Sequence, residues 1–415
     1  MSDLAGLSVL VVEPLSGGAA LARAAHRLGA RVVAASQDEG DREIPEGLRK
    51  IIDVVLTVDA NDEAALTEAV VPLHRREPFA AVLPGCDFYV ATAARLAARL
   101  GLPGLPVETV DSVRNKALMR REVARAGLRS PRFAEADTVA GLRAAAEHVG
   151  FPCVMKPVES SGSIHVSLAR DWPALVRAFT ELVQDETLDL GRPMGRRVVV
   201  EQYVSGDEIS ADGYVDGGKV TVVALTRKVL GPEPWFVELG HLTPAGLPGD
   251  VVSRVNAYTE EVVRALNVTA GPFHCELRLS DDGPVLIELG ARLPGDGIPE
   301  LLRRVTGVDL AVVMLAAGLG ADPRGLGAFG EPTAACAAVR FLTLPGPGSY
   351  SALKGWEELS GLPNVVETHV AVPPGVSVPE VRDCRSRLAG VLYTADSPDA
   401  ARAFWDSLDE VVVVQ

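Results

Sequence analysis

Phe273-His274-Cys275-Glu276-Leu277-Arg278-Leu279-Ser280, then Asp281-Asp282-Gly283, then Pro284-Val285-Leu286-Ile287-Glu288-Leu289-Gly290 is the stretch on which the reading of this chain turns. Apolar Phe273, Cys275, Leu277 and Leu279 alternate with His274, Glu276 and Arg278, the period-two pattern of a strand with one buried face. The return run has the same texture, and residues 281–283 suit a three-residue hairpin loop with glycine in the left-handed position. Such a loop sets Glu276 directly opposite Glu288 on one face, with Cβ atoms about 5 Å apart. Like charges so placed repel unless something positive lies between them. Facing carboxylates are a natural platform for Mg²⁺, which binds one or two carboxylates plus substrate phosphates. Arg292 follows four residues after Glu288 and continues toward the same face. The plainer reading is a solvated hairpin whose acids are neutralised by Arg278.

Two further blocks lie upstream. In Pro152-Cys153-Val154-Met155-Lys156-Pro157-Val158-Glu159-Ser160-Ser161-Gly162-Ser163, a lysine ends an apolar strand and small residues follow. Small residues let backbone N–H groups approach phosphate oxygens, and lysine adds a point charge; an ordinary surface lysine before a turn is the alternative. In Val198-Val199-Val200-Glu201-Gln202-Tyr203-Val204-Ser205-Gly206-Asp207-Glu208, a buried strand runs into a polar corner with acids suited to sugar hydroxyls.

Working outward, residues 1–100 alternate short apolar strands (7–12, 31–35, 54–58, 80–84) with helices, which implies a parallel sheet covered on both faces. The Gly17-Gly18 turn carries no GxGxxG, and no P-loop occurs, so a nicotinamide site is not expected. A Gly/Pro-rich linker at 101–106 precedes a basic helix at 111–126 that carries Asn115-Lys116. After Pro131 the texture reads as strands with short turns, including one at 163–168, until a helix at 250–266. From Pro332 the chain reads as a small α+β unit. The expected domains are 1–105, 106–330 (with a lid near 130–205) and 331–415.

Composition narrows the field. A net charge of −15 over 415 residues disfavours a nucleic-acid partner, because phosphate backbones need a basic face. The start lacks the basic n-region of a signal peptide, and residues 310–321, the nearest approach to a membrane span, are too few. Five scattered cysteines with no CxxC pair suit a cytoplasmic setting and argue against zinc. Lysine occurs only at positions 50, 116, 156, 219, 228 and 354, in a chain that otherwise uses arginine.

Together and in this order, the blocks resemble the ATP-grasp superfamily of carboxylate–amine ligases over nearly the whole chain. Within it the chain looks most like the L-amino-acid ligases, which are dipeptide synthetases. The resemblance implies a mixed α/β and α+β architecture: a pre-ATP-grasp parallel-sheet domain, an ATP-grasp core and a small C-terminal α+β domain. It implies ATP and Mg²⁺ as cofactors, two ions with Mn²⁺ as a substitute, small acid and amine substrates, and a homodimer. Lys116 and Lys156 resemble the phosphate lysines, and Ser160, Ser161, Gly162 and Ser163 the loop over the phosphates. Glu201, Gln202, Tyr203 and Val204 would hold adenine through backbone, and Glu208 the ribose. Glu276 and Glu288 would be the magnesium ligands and Arg292 the catalytic residue that stabilises the tetrahedral intermediate. Lys228 is expected to face the same cleft.

One position departs from the pattern. The family's Glu-x-Asn-x-Arg reads Glu288-Leu289-Gly290-Ala291-Arg292, and Gly290 offers no side-chain ligand to a second ion. Glu238 and His241, in a Pro-flanked stretch that otherwise reads as a loop, resemble a pair that reaches the amino-acid substrate. Gly295 and Asp296 would wall the substrate pocket, with capping of the helix at Pro299 as the alternative for Asp296. Asp87 would line the pocket or cap the helix after it. Related readings are a biotin-carboxylase-like or purine-pathway enzyme that activates bicarbonate or formate. A reading of another class is a non-catalytic ATP-binding module.

Overall fold

In the computed structural model, which describes residues 4–415, the strands Ser8–Val12, Arg31–Ser36, Val54–Thr57 and Phe79–Pro84 pair in parallel, with the first lying between the second and fourth. Val9, Val11 and Val32 enter one core, and Leu10, Val12 and Val33 enter another. Both faces are therefore covered, as a parallel sheet requires. The Gly17-Gly18 turn serves packing. A Cβ at Gly18 would sit 2.4 Å from Cα of Gly85, and one at Gly17 would sit 2.9 Å from Cβ of Leu293. The two glycines let the helix Gly17–Arg27 close on the fourth strand and on the loop after Arg292.

The segment after Pro131 is more helical than its texture suggests. Phe133–Ala136, Val198–Gln202, Cys153–Pro157 and Ser167–Ala169 form an antiparallel sheet in that order. The helices Val139–Val149 and Trp172–Gln184 back it, joining Leu142, Leu175 and Phe179 to Met155 and Val200 in one core. The strand expected at 163–168 shrinks to Ser167–Ala169, because Ser163 and His165 adopt φ of 62° and 55° in a turn. The helix expected at 111–126 is also divided. Val110–Val113 is a separate 3₁₀ turn, and the Asn115 side chain accepts from the Ala117 and Leu118 amides as N-cap of the helix Lys116–Arg125.

A third, eight-stranded sheet runs in the order Gly283–Gly290, Gly271–Ser280, Asp207–Asp216, Lys219–Leu230, Glu238–Thr243, Cys336–Thr343, Arg387–Ala395, Val365–Val370. The stretch around Glu238 and His241 is thus a strand, not a loop, and it joins the two halves of the sheet. On one face Ile209, Ala211, Cys275, Leu277 and Leu289 form a core with Val255 and Val262 of the helix Gly249–Ala265. Interleaved with these positions, Ser210, Asp212 and His274 are buried polar residues, and Glu276 and Glu288 continue the same alternation. Residues 310–321 contribute the helix Leu310–Leu319, which packs between the helix Gly17–Arg27, the strand Phe79–Pro84 and this sheet. It is apolar all round because it is buried all round. No helix among the described residues is long and apolar enough to cross a membrane.

Candidate active site

Glu276 and Glu288 face each other across the hairpin, though not by way of the expected loop. Ser280 pairs with Gly283, so the loop is Asp281-Asp282 alone, one residue shorter than expected. On that register Glu276 would face Ile287. A bulge corrects it: Leu277 faces Leu286 and Glu276 faces Glu288, leaving Ile287 as the extra residue. Bulges re-aim side chains and gather next to active sites. The fully buried Arg120 donates from Nη2 to the Ile287 carbonyl at 2.6 Å, giving the bulged residue a partner.

The charge between the two acids comes from lysine. Lys116 Nζ lies 3.0 Å from Glu288 Oε1 and donates to the Ser160 carbonyl at 3.0 Å. Lys228 Nζ lies 2.6 Å from Glu238, 3.0 Å from Glu208 and 3.0 Å from Glu276. Burial would push Lys228 down, but Glu238, Glu276 and Glu208 hold it well above the ordinary lysine range. Burial likewise would raise Glu276, yet Lys228 and His274 hold it well below the usual carboxylate range. Arg278, the neutraliser in the plainer reading, pairs with Glu208 instead at 3.0 Å. Of the six lysines, Lys116, Lys156 and Lys228 are buried here, and Lys50, Lys219 and Lys354 are exposed.

One cavity is lined by Lys116, Lys156, Ser160, Ser161, Gly162, Ser163, Glu201, Gln202, Tyr203, Val204, Glu208, Lys228, Glu276 and Glu288. The carboxylate of Glu201 is engaged by Arg120 Nε at 2.9 Å and Lys156 Nζ at 2.7 Å, so the strand end offers the cavity chiefly its backbone. Arg278 lies over the rings of Tyr203 and Phe236, 5.3 and 5.0 Å from their centroids. Two carboxylates opposed on one strand pair, with oxygen donors only and a cavity in front of them, fit a hard divalent cation such as Mg²⁺.

A second cavity of about 300 Å³ adjoins the first and shares Ser161, Gly162, Glu238, Glu276 and Glu288 with it. The facing carboxylates therefore stand in the partition. Across it lies Arg292, whose Nε donates to Asp87 Oδ1 at 2.9 Å. Asp87 also pairs with Arg114 and caps no helix. Burial would raise Asp87, but Arg114 and Arg292 lower it to about 2. A Cβ at Gly290 would lie 3.3 Å from Asp87 Oδ1 and 3.5 Å from Arg292 Cγ, so the glycine leaves room for this pair.

Glu238, His241 and Asp296 meet on the wall of the same cavity. Residues three apart on a regular strand point to opposite faces. Here Val229 pairs with Gly240 and Leu230 with Glu238, so Leu239 is bulged out and both side chains reach one side. His241 Nε2 lies 3.1 Å from Asp296 Oδ2. Arg387 donates to Asp296 at 2.8 Å and to Glu238 at 3.0 Å, with its guanidinium 4.2 Å from the centroid of Phe341. Ligand atoms of Glu238, His241 and Asp296 lie within 4.8 Å of one another, but Arg387 already bridges both carboxylates. Asp296 does not cap the following helix, which starts after Gly297 without a side-chain cap.

Several members of the site carried little or no sequence signal. Asp212 accepts from or shares a proton with His274 Nδ1 at 2.6 Å, while His274 Nε2 lies 3.1 Å from Glu276. Burial would lower His274, but Asp212 and Glu276 push it up to about 9. The one signal that could have found Asp212 is the alternation of Ser210 and Asp212 with Ile209 and Ala211. Nothing local marked Arg114, Arg120 or Arg387 among so many arginines.

Residues 149–300 match the family described as ATP-grasp domain, residues 22–104 the ATP-grasp N-terminal domain, and residues 340–415 the L-amino acid ligase C-terminal domain 2. An uncharacterized protein, y4rH, of Sinorhizobium fredii is 28% identical over 347 residues, 84% of this chain and 70% of that protein. Alanine–anticapsin ligase of Bacillus subtilis is 26% identical over 269 residues, 61% of this chain. The match spans 57% of that ligase, less than two thirds of its length. The crystal structure of an L-amino acid ligase from Bacillus licheniformis superposes with a TM-score of 0.83 at 23% identity, covering 99% of this chain and 98% of that one.

Proposed function

The chain belongs to the ATP-grasp superfamily, and from that premise we propose that it is an ADP-forming carboxylate–amine ligase that joins an amino acid or small acid to an amine. The observation that carries this reading is the placement of Glu276 and Glu288 in the partition between two cavities, one lined by Lys116, Lys156 and Lys228 and the other by Arg292. ATP would occupy the first cavity and the acid the second, so phosphoryl transfer takes place across the partition.

In this mechanism a carboxylate oxygen of the acid attacks the γ-phosphoryl group, ADP leaves, and an acylphosphate remains. The amine nitrogen then attacks the acyl carbon, and the C–O bond to the phosphoryl group breaks with its electrons on phosphate. Such chemistry needs positioning and fixed charge more than a nucleophilic side chain. Lys116 and Lys156 supply charge beside the phosphates. Arg292, aimed by Asp87, supplies it where the tetrahedral oxyanion forms. Glu276 and Glu288 would hold Mg²⁺, or Mn²⁺ in its place, which when bound offsets the triphosphate charge. With Gly290 lacking a side chain, a second ion would rely on Glu288 and the substrate phosphates. Glu238, His241, Gly295 and Asp296 would receive the amine.

Phosphate release across a matrix of amino acids, small acids and amines, with mass spectrometry of products, tests the reading. A new amide formed together with ADP supports it. ADP release on bicarbonate alone, with no amide from any pair, overturns it. Lys156→Ala and Glu288→Ala are each expected to lower turnover by about 10²-fold or more; full turnover in both would show that the site lies elsewhere.

A further inference from the structure

The substrate cavity does not end at Asp296. Beyond it lies a larger cavity of about 770 Å³, between the helix Gly17–Arg27 and the strands Cys336–Thr343 and Val365–Val370. The two cavities share Ser16, Gly17, Gly295 and Asp296 in their walls. Asp296 is thus the charged residue at the junction. Its bonds from His241 and Arg387 both fall on Oδ2, which leaves Oδ1 for a ligand, and its side chain is 28% exposed. Its φ of 56° is a left-handed conformation that a non-glycine residue keeps only when its surroundings enforce it.

Charge in the larger cavity is mostly cancelled within its wall. Arg27 pairs with Asp309 at 2.7 Å, and Arg303 with Glu300 at 2.7 Å. Arg23 and Glu367, which also line the cavity, have no charged side-chain partner among the described residues, so Arg23 is the cation there that is open to a carboxylate. From Gly17, at the junction, to Arg23 is about 9 Å of helix axis at ~1.5 Å per residue. An extended peptide covers about 3.3–3.6 Å per residue, so roughly 9 Å corresponds to two or three residues and exceeds one amino acid.

We infer that the amine substrate is the N-terminus of a short peptide, with its ammonium at Asp296 and its C-terminal carboxylate at Arg23. The acid being activated is confined to the smaller cavity. This rests on the ligase reading above and names its second substrate. Asp296 Oδ1 holds the ammonium, which loses one proton to solvent, and the nitrogen lone pair then forms the C–N bond. The acyl C–O bond breaks with its electrons leaving on phosphate, and that phosphate takes the second nitrogen proton.

The test supplies ATP, Mg²⁺ and each common amino acid as the acid. The amines offered are L-alanine, L-alanyl-L-alanine, its C-terminal amide, and tri-L-alanine. ADP release gives rates, and tandem mass spectrometry reads residue order in the product. The expected result is kcat/KM for L-alanyl-L-alanine at least about 10-fold above both L-alanine and the dipeptide amide, the factor that one charge-assisted contact supplies. Arg23→Met is expected to erase the preference of acid over amide. Ala20→Trp, which fills the larger cavity, is expected to lower use of all three peptides more than use of L-alanine. Because Arg23 is exposed, its variant carries the test even if the tryptophan variant does not fold. L-Alanine used as well as the dipeptide, or an acid-over-amide preference that persists in Arg23→Met, overturns the inference and leaves the ligase reading standing. No amide from any of the four amines overturns the inference, and the ligase reading falls with it only if the broad matrix above also yields none.

Discussion

The two cavities that meet at Glu276 and Glu288 are built from the chain in different ways. The side proposed for the nucleotide takes its wall from residues between Pro131 and Glu288 together with Lys116. The substrate side draws on both ends of the chain as well: Ser16 and Gly17, Asp87, Arg292 and Asp296, Cys384 and Arg387. On the proposed reading, the groups that would meet the variable substrates come from more widely separated parts of the chain than those that would meet ATP, and loops there change at little structural cost.

Substitutions at three residues bear on that contrast. Lys228 touches acids of both cavities, so Lys228→Met should damage both. Removing it strands buried Glu208 and half-buried Glu238 and Glu276, at an expected cost of about 3–5 kcal/mol in urea unfolding. A loss under about 1 kcal/mol would mean that Arg278, His274 and Arg387 carry the charge balance without it. Arg292→Met belongs to the substrate side. It should lower kcat by about 10²–10³-fold while KM for ATP stays near its starting value. A parallel rise in KM for ATP would erase the distinction between the cavities. Arg387→Met should have the smallest effect, raising KM for the amine by roughly 10-fold through loss of one charge-assisted link to Asp296 and Glu238. Arg387→Lys should recover only part of it, because a lysine cannot bridge both carboxylates in a fork. Full recovery would reduce Arg387 to a general positive charge.

How legible the molecule was follows the same division. The alternation in 273–290 placed both hairpin strands, and Glu276 does face Glu288. The route to that pairing was different: the loop is shorter than its residues suggested, and Ile287 bulges to compensate. Turn composition and strand alternation are separate local signals, and neither reveals a bulge, whose stabilising partner Arg120 lies far away in sequence. Between Pro131 and Gln202 the β texture masked two helices, because short apolar runs do not separate buried strand from buried helix by periodicity alone. Glu238 and His241 were noticed as a pair, but their strand was not, since the bulge at Leu239 breaks the period-two pattern that would have announced it.

The scarcity of lysine was a clue that sequence alone raised and only partly resolved. The count did not say which lysines matter; the resemblance to the ATP-grasp superfamily singled out Lys116 and Lys156, and it left Lys228 with weaker support than the three carboxylates around it now provide. What the sequence by itself determined is the order of strands and cations that makes an ATP-grasp core, because those features depend on neighbours along one strand or across one hairpin. What only the tertiary structure decided is the substrate wall. Arg387 reaches Asp296 across 91 positions, and Arg292 reaches Asp87 across 205. Such ion pairs leave no periodic trace, since their partners become neighbours only after the three sheets have packed.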